Sequence, residues 1–275
     1  MGRYLYRRFG DSGAIATHNS TPIGRSVHFD ASRMRLSEIV PESVDISHAF
    51  ICFRAFSNID LIKTNADYSY QVNVVGTKAV IDDLISLGIK PVFVSTGWVF
   101  DGEEGNYTEE DFPTPNTVYG TQKLEVEQYL VQACKDYLIL RLGHVYGTDT
   151  DDDSMLSNWF RKLENGEEII CARDQNMSPI HVEDVALAAE SAVSLDLSGL
   201  FNVCTTESCN RLDLLRKFIE FLQHEAHVVE CSILDFDFAD NRPFNMTLDP
   251  QKLIDATELQ FRSLESCFQE FLVQA

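Results

Sequence analysis

The sequence predicts an α/β protein: a parallel sheet with helices on both faces, and a smaller C-terminal lobe. Three observations carry that expectation. Short apolar runs alternate with amphipathic runs along the first half of the chain. The apolar runs lack polar alternation, as strands covered on both faces do. The spacing of strand, helix, strand, helix, strand is that of βαβ units.

Taken in order, residues 4–9 read as the end of a helix and residues 13–18 as a strand. The next strand is expected over residues 47–53. Residues 68–87 carry helical spacing through Val72, Val75, Ala79, Val80, Leu84 and Leu87, and Gly88 stands where a helix stops. Strands over 90–95 and 137–142 flank a helix over 117–136, with Leu124, Tyr129, Leu130 and Ala133 on one side. Beyond residue 148 the pattern loosens. Residues 149–153 form an acidic run expected to be a solvated loop. Helices are expected over 156–163, 182–195 and 212–224, and strands over 168–172 and 200–204. The chain thus divides into a sheet region over residues 1–147 and a lobe over 148–275, interleaved with the sheet.

The 275 residues allow one large α/β domain with such a lobe. No apolar run reaches the roughly 20 residues that cross a bilayer. The basic, aromatic residues 1–9 lack the apolar core of a signal peptide. The expectation is a cytoplasmic protein with no membrane partner. A formal net charge of -21 argues against nucleic acid and anionic membrane, which call for a basic face. The seven cysteines are odd in number, scattered and without a C-x-x-C, which fits reduced thiols. No His/Cys spacing suggests a metal site.

The strongest chemical signal is Tyr119-Gly120-Thr121-Gln122-Lys123. Tyr and Lys four apart share a helix face. A phenol titrates near ~10, and an adjacent ammonium favours the phenolate. The pair suits proton transfer to a carbonyl oxygen during hydride transfer. Alone, so short a motif is more often two residues of a solvated helix. Upstream, a strand ends at Ser95-Thr96, where α/β sheets place their ligands, and its hydroxyl can bond the same oxygen.

These residues lie in a longer pattern. Val94-Ser95-Thr96-Gly97-Trp98-Val99-Phe100-Asp101-Gly102 resembles the S-T-D-Y-V-F-D-G segment of dTDP-4-dehydrorhamnose reductases, members of the extended short-chain dehydrogenase/reductase group. Tyr107-Thr108-Glu109-Glu110-Asp111, Pro113, Pro115-Asn116 and Val118-Tyr119-Gly120 are similar to the run that follows in that family. So are Asp174-Gln175 with Pro179, and Arg242-Pro243 with Leu248-Asp249 and Lys252-Leu253. The resemblance covers the chain from about residue 13 to its end. It implies a Rossmann-like fold, NADP (with NAD as the alternative) as cofactor, and a nucleotide sugar as substrate. It implies that Thr96, Tyr119 and Lys123 are catalytic, and that Lys123 also holds the nicotinamide ribose. It implies that Gly2, Asp30, Asn73 and Ser95 belong to the cofactor site, and that Trp98 and Arg242 belong to the substrate site. Asp30 reads equally as a helix-capping loop residue. The resemblance admits a homodimer. The regulatory subunit of methionine adenosyltransferase resembles the same family, so a non-catalytic binding or regulatory role is the alternative.

The pattern breaks at the front. The family's opening strand and T-G-x-x-G-x-x-G loop, which meet the cofactor pyrophosphate, are missing. Gly2 falls where the last glycine of that loop would stand. The expectation is a truncated chain or a misplaced start, ahead of a relative without cofactor and a chain that binds cofactor by other contacts. The missing strand is central in a 3-2-1-4-5-6 order and should leave a gap. Gly97-Trp98 replaces the family's Asp-Tyr. Phe53, Arg54 and Phe56 replace small residues that let backbone lie against cofactor. No acidic residue ends the strand near Thr17-His18-Asn19, which favours NADP over NAD, with His18 and Arg25 as candidate phosphate contacts. His144 and His181 read as structural.

Overall fold

A computed structural model describes residues 1–10, 13–40, 45–53, 55–56, 58–149 and 153–274. Arg54 and residues 150–152 of the acidic run lie outside the described residues. The chain opens in helix α1 (Gly2–Phe9) and passes through two short strands, β1 (Thr17–His18) and β2 (Val27–His28). Then come β3 (His48–Ile51), α2 (Ile59–Thr64), α3 (Ala66–Tyr70), a π-helical turn (Gln71–Gly76) and α4 (Thr77–Ser86). β4 (Lys90–Thr96), α5 (Val118–Ala133) and β5 (Leu138–Leu142) complete the sequence that carries the site. Beyond it run β6 (His144–Tyr146), α6 (Met155–Glu164), β7 (Ile169–Ala172), β8 (Asn176–Met177), β9 (Pro179–His181) and α7 (Val182–Ser194). The chain ends through β10 (Gly199–Val203), β11 (Cys209–Asn210), α8 (Arg211–Leu222), β12 (Val228–Cys231), β13 (Asn245–Met246), α9 (Gln251–Thr257) and α10 (Leu264–Gln274).

The main sheet is parallel, in the order β10-β5-β4-β3. Its strands alternate their apolar side chains between two helical layers. Val92, Leu138 and Leu140 face α1 and α7, where Leu5, Ala188, Ala189 and Ala192 are buried. Phe93 and Ile139 face the opposite layer, against Val80, Ile81 and Leu84 of α4 and Val126 and Leu130 of α5. Burial on both sides is why these strands read as continuous apolar runs. A further core lies wholly beyond β5. There α6, α8 and α10 close over β7 with Trp159, Phe160, Phe218, Phe268 and Phe271. β10 comes from this later part of the chain yet completes the main sheet beside β5.

Three differences from the sequence reading matter. The strand expected over residues 13–18 is regular only at Thr17–His18, which pairs with Val27–His28 in a sheet of its own. The helix expected over 68–87 is interrupted by the π-helical turn, because one extra residue is accommodated around Asn73. β12 and α9 went unread because they are short and carry few apolar positions, and α10 went unread although Leu264, Cys267, Phe268 and Phe271 carry helical spacing.

Candidate active site

The site is built where β4 stops. Successive strand residues point to opposite faces, so Ser95 and Thr96 diverge. The Ser95 hydroxyl donates to Glu127 of α5. The Thr96 hydroxyl turns the other way and accepts from the Trp98 backbone N–H at 3.3 Å, capping the turn Gly97–Val99. That turn presses on the first turn of α5. A Cβ on Gly120 would stand 2.0 Å from the Trp98 carbonyl oxygen, so only glycine fits there. Thr117 holds the same end, its hydroxyl accepting from Gly120 N–H at 3.0 Å.

Tyr119, Lys123 and Glu127, four apart, share one face of α5 and point at the sheet. Tyr119 is 8% exposed and Lys123 4%. The Lys123 ammonium donates to the Val94 carbonyl at 2.9 Å and the Phe53 carbonyl at 3.2 Å, bridging the ends of β4 and β3. It lies 5.9 Å from the Tyr119 ring centroid and 4.7 Å from that of Phe93. Below it, Glu127 and Arg141 form a buried pair, with Nη2 to Oε2 at 2.7 Å. This pair anchors the base of the stripe beneath Lys123.

Asn73 is buried in the π-helical turn. Its side-chain oxygen accepts from Ala55 N–H at 2.8 Å, and its amide donates to Gln122 at 2.8 Å. Gln122 in turn donates to Ser69 at 2.9 Å. Asn73 therefore ties the segment after β3 to α5, one residue before Lys123. The bulky residues of that segment are packed in aromatic pairs, Phe53 on Phe29 at 6.2 Å and Phe56 on Tyr68 at 5.7 Å.

The other sequence-predicted residues sit apart from this cluster. Gly2 is the first residue of α1. Asp30 caps the turn after β2, accepting from the Ser32 N–H at 2.9 Å and hydroxyl at 2.6 Å. The Ser32 hydroxyl is the largest influence holding its carboxyl below the usual range. His18 pairs with the Ser26 hydroxyl at 2.8 Å, and Arg25 is exposed. His181 is buried and caps α7.

Beside the end of β4 lies a cavity of about 220 Å³, lined there by Gly97 and Trp98. Its polar lining includes His144, Gln175, Arg211 and Arg242, and Phe238 adds an aromatic wall. Arg242 pairs with Asp60 at 2.9 Å and stacks on Phe238 at 4.1 Å, with Trp98 at 5.9 Å. Arg211 and His144 were not read as site residues from the sequence. The available signal was Gln175 in the Asp-Gln pair, which accepts from Arg211 Nη1 at 2.9 Å. Burial pushes the His144 imidazole down to about 4, and Arg211 acts in the same direction. Its ring is neutral at pH 7.

The residues that would face a nicotinamide ribose fit that group: Tyr119, Lys123 and the Asn73-braced segment meet at the ends of β3 and β4. No T-G-x-x-G-x-x-G run occurs among the described residues, and the Asp30 carboxylate accepts from the Ser32 hydroxyl. No group of three or more metal-ligating side chains occurs among the described residues, and no helix there is long and apolar enough to cross a membrane.

A parallel sheet covered on both faces, a strand-end threonine and an inward Tyr-x-x-x-Lys define a protein of the extended short-chain dehydrogenase/reductase type. Residues 14–275 match the RmlD substrate-binding domain model, and the chain belongs to that family of sugar-nucleotide reductases. The chain is 32% identical over 225 residues to the probable low-salt glycan biosynthesis reductase Agl14 of Haloferax volcanii, covering 78% of this chain and 73% of that one. It is 25% identical to methionine adenosyltransferase 2 subunit beta of Rattus norvegicus, covering 78% of this chain and 66% of that one. Among solved structures, the dTDP-4-dehydrorhamnose reductase of Bacillus anthracis in complex with NADP superposes with a TM-score of 0.75 at 26% identity, covering 82% of this chain and 80% of that one.

Proposed function

We propose that this protein reduces the carbonyl of a nucleotide-linked 4-keto-sugar, with NADP as cofactor and Tyr119 as proton donor. The observation that carries the reading is the inward stripe of Tyr119 and Lys123 beside the Thr96 strand end, next to a cavity. A bound nicotinamide would supply the hydride. Tyr119 gives its proton to the carbonyl oxygen, and Thr96 donates a hydrogen bond to the same oxygen. The Lys123 ammonium favours the phenolate that Tyr119 leaves behind. Trp98 and Arg242 hold the sugar nucleotide, and residues 148–275 contribute most of that lobe. Asn73 and Ser95 shape the cofactor wall, Asn73 through the Ala55 backbone and Ser95 through Glu127. The family resemblance assigns Gly2 to the pyrophosphate loop and Asp30 to the adenine. The reductase relatives and the NADP complex of a family member support this reading.

The test is Tyr119→Phe in an assay of NADPH consumption with a nucleotide-linked 4-keto-sugar. Turnover should fall about 10²- to 10⁴-fold while the melting temperature holds. Undiminished turnover removes Tyr119 from its role. A second reading, a non-catalytic regulatory protein, draws support from the likeness to methionine adenosyltransferase 2 subunit beta. It predicts a folded wild-type chain that binds sugar nucleotide and consumes no NADPH.

A further inference from the structure

We propose that Arg211 is the anion-recognising residue of the cavity and takes the diphosphate of the substrate, an inference that rests on the sugar-nucleotide reading above. The molecule as a whole is strongly acidic, with a net charge of -21. An anionic substrate therefore needs a local exception, and the cavity wall supplies it with two guanidinium groups, Arg211 and Arg242. They differ in how their charge is met. Arg242 is neutralised by Asp60 at 2.9 Å. Arg211 has no carboxylate partner among the described residues, and its side chain hydrogen-bonds the neutral Gln175 amide oxygen and the Cys171 thiol. The neighbouring Cys171 thiol, raised by burial to about 11, stays protonated at neutral pH and offers no counter-charge.

Arg211 is nevertheless held in place. Its backbone N–H donates to the Gln175 carbonyl at 2.8 Å, and its guanidinium lies 5.9 Å from the Trp159 ring centroid. Gln175 is itself fixed by donating to the Pro243 carbonyl at 3.3 Å, next to Arg242. Burial is the first influence disfavouring the Arg211 charge, and Arg242 adds to it. With Arg242 already paired to Asp60, the charge left without a carboxylate at this half-buried wall is that of Arg211, and an anion arriving there would meet it. A guanidinium fork matches phosphate oxygens in pairs, so that anion is best met by a phosphoryl group. His144 beside it is neutral and can share a hydrogen bond with the same group. The apolar walls of Trp98 and Phe238 suit a base or sugar ring, which gives the cavity the two characters of a nucleoside diphosphate.

The experiment is calorimetric titration of the full chain with dTDP, UDP, thymidine and uridine, without turnover. Wild type should bind a diphosphate at least ten-fold more tightly than its nucleoside, and added salt should weaken only the diphosphate. Arg211→Gln should lose at least ten-fold in diphosphate affinity and leave nucleoside binding unchanged. Equal diphosphate affinity in a folded Arg211→Gln, or a wild type that binds nucleosides as well as diphosphates or binds neither, overturns the assignment. Should the Gln variant fail to fold, Arg211→Lys carries the test. It keeps the charge and loses the fork, so diphosphate affinity should fall several-fold, and unchanged affinity overturns the proposal. A chain that binds diphosphates through Arg211 and reduces nothing sinks the reductase reading alone. A Tyr119-dependent reductase indifferent to diphosphates sinks only the role of Arg211.

Discussion

At the scale of single residues, burial sets the chemistry of the cavity. His144 titrates at about 4 in the fold against an ordinary 6.5, because burial disfavours its charged form. The folded protein therefore binds fewer protons than the unfolded chain between those values. Stability from this group is fully present above pH 6.5 and is lost as the pH falls toward 4. The difference amounts to about 3 kcal/mol across that window. His181 is lowered in the same direction, again by burial first. Urea unfolding from pH 7 to pH 4.5 should show the decline, and His144→Gln should flatten part of it; an unchanged slope contradicts the account. Placement was legible where it was local in sequence. A spacing of four puts Tyr119 and Lys123 on one helix face, and the apolar run before Thr96 puts it at a strand end. The place of Arg211 beside Gln175 and Arg242 was not, because only the fold brings them together. Asp30, for which the sequence offered a helix cap as the alternative, caps a turn, accepting from the Ser32 N–H and hydroxyl.

At the scale of elements, α5 places the site and a glycine sets its height. Gly120 lets the first turn of α5 lie against the Trp98 carbonyl. Alanine there must push the helix or the Gly97–Val99 turn aside, an overpacking cost of about 1–3 kcal/mol. The shift carries Tyr119 with it, and a displacement near 1 Å costs about 10²-fold in rate. Gly120→Ala should thus lower the melting temperature and reduce turnover together, measured by thermal melt and steady-state assay. A fully active Gly120→Ala contradicts the packing described. The apolar strands and long helices were legible from period and capping. The π-helical turn was not, because hydrophobic spacing over 68–87 reads as continuous helix while the extra residue is spent on turning Asn73 toward Ala55. Strand Thr17–His18 was over-read because residues 13–16 are largely apolar yet lie in no strand, with only the Ala16 carbonyl accepting from Val27 N–H.

At the scale of the molecule, the sheet, two helical layers and a later lobe converge on one edge, the carboxyl ends of β4 and β5. That is where parallel sheets bind ligands. A chain of net charge -21 lines this cavity with two guanidinium groups, the contrast from which an anionic ligand is proposed. Domain class was legible because it rests on alternation along the chain. The lobe was less so, since β10 leaves it to join the main sheet and its own core is assembled from α6, α8 and α10 across long separations. The most direct test of the central claim follows the transferred hydrogen. The protein is incubated with NADPH deuterated at nicotinamide C4 and a nucleotide-linked 4-keto-sugar, and the sugar product is weighed by mass spectrometry. The account predicts one deuterium on the former carbonyl carbon in wild type and a greatly slowed transfer in Tyr119→Phe. A folded wild type whose sugar takes up no deuterium from either C4 face would contradict it.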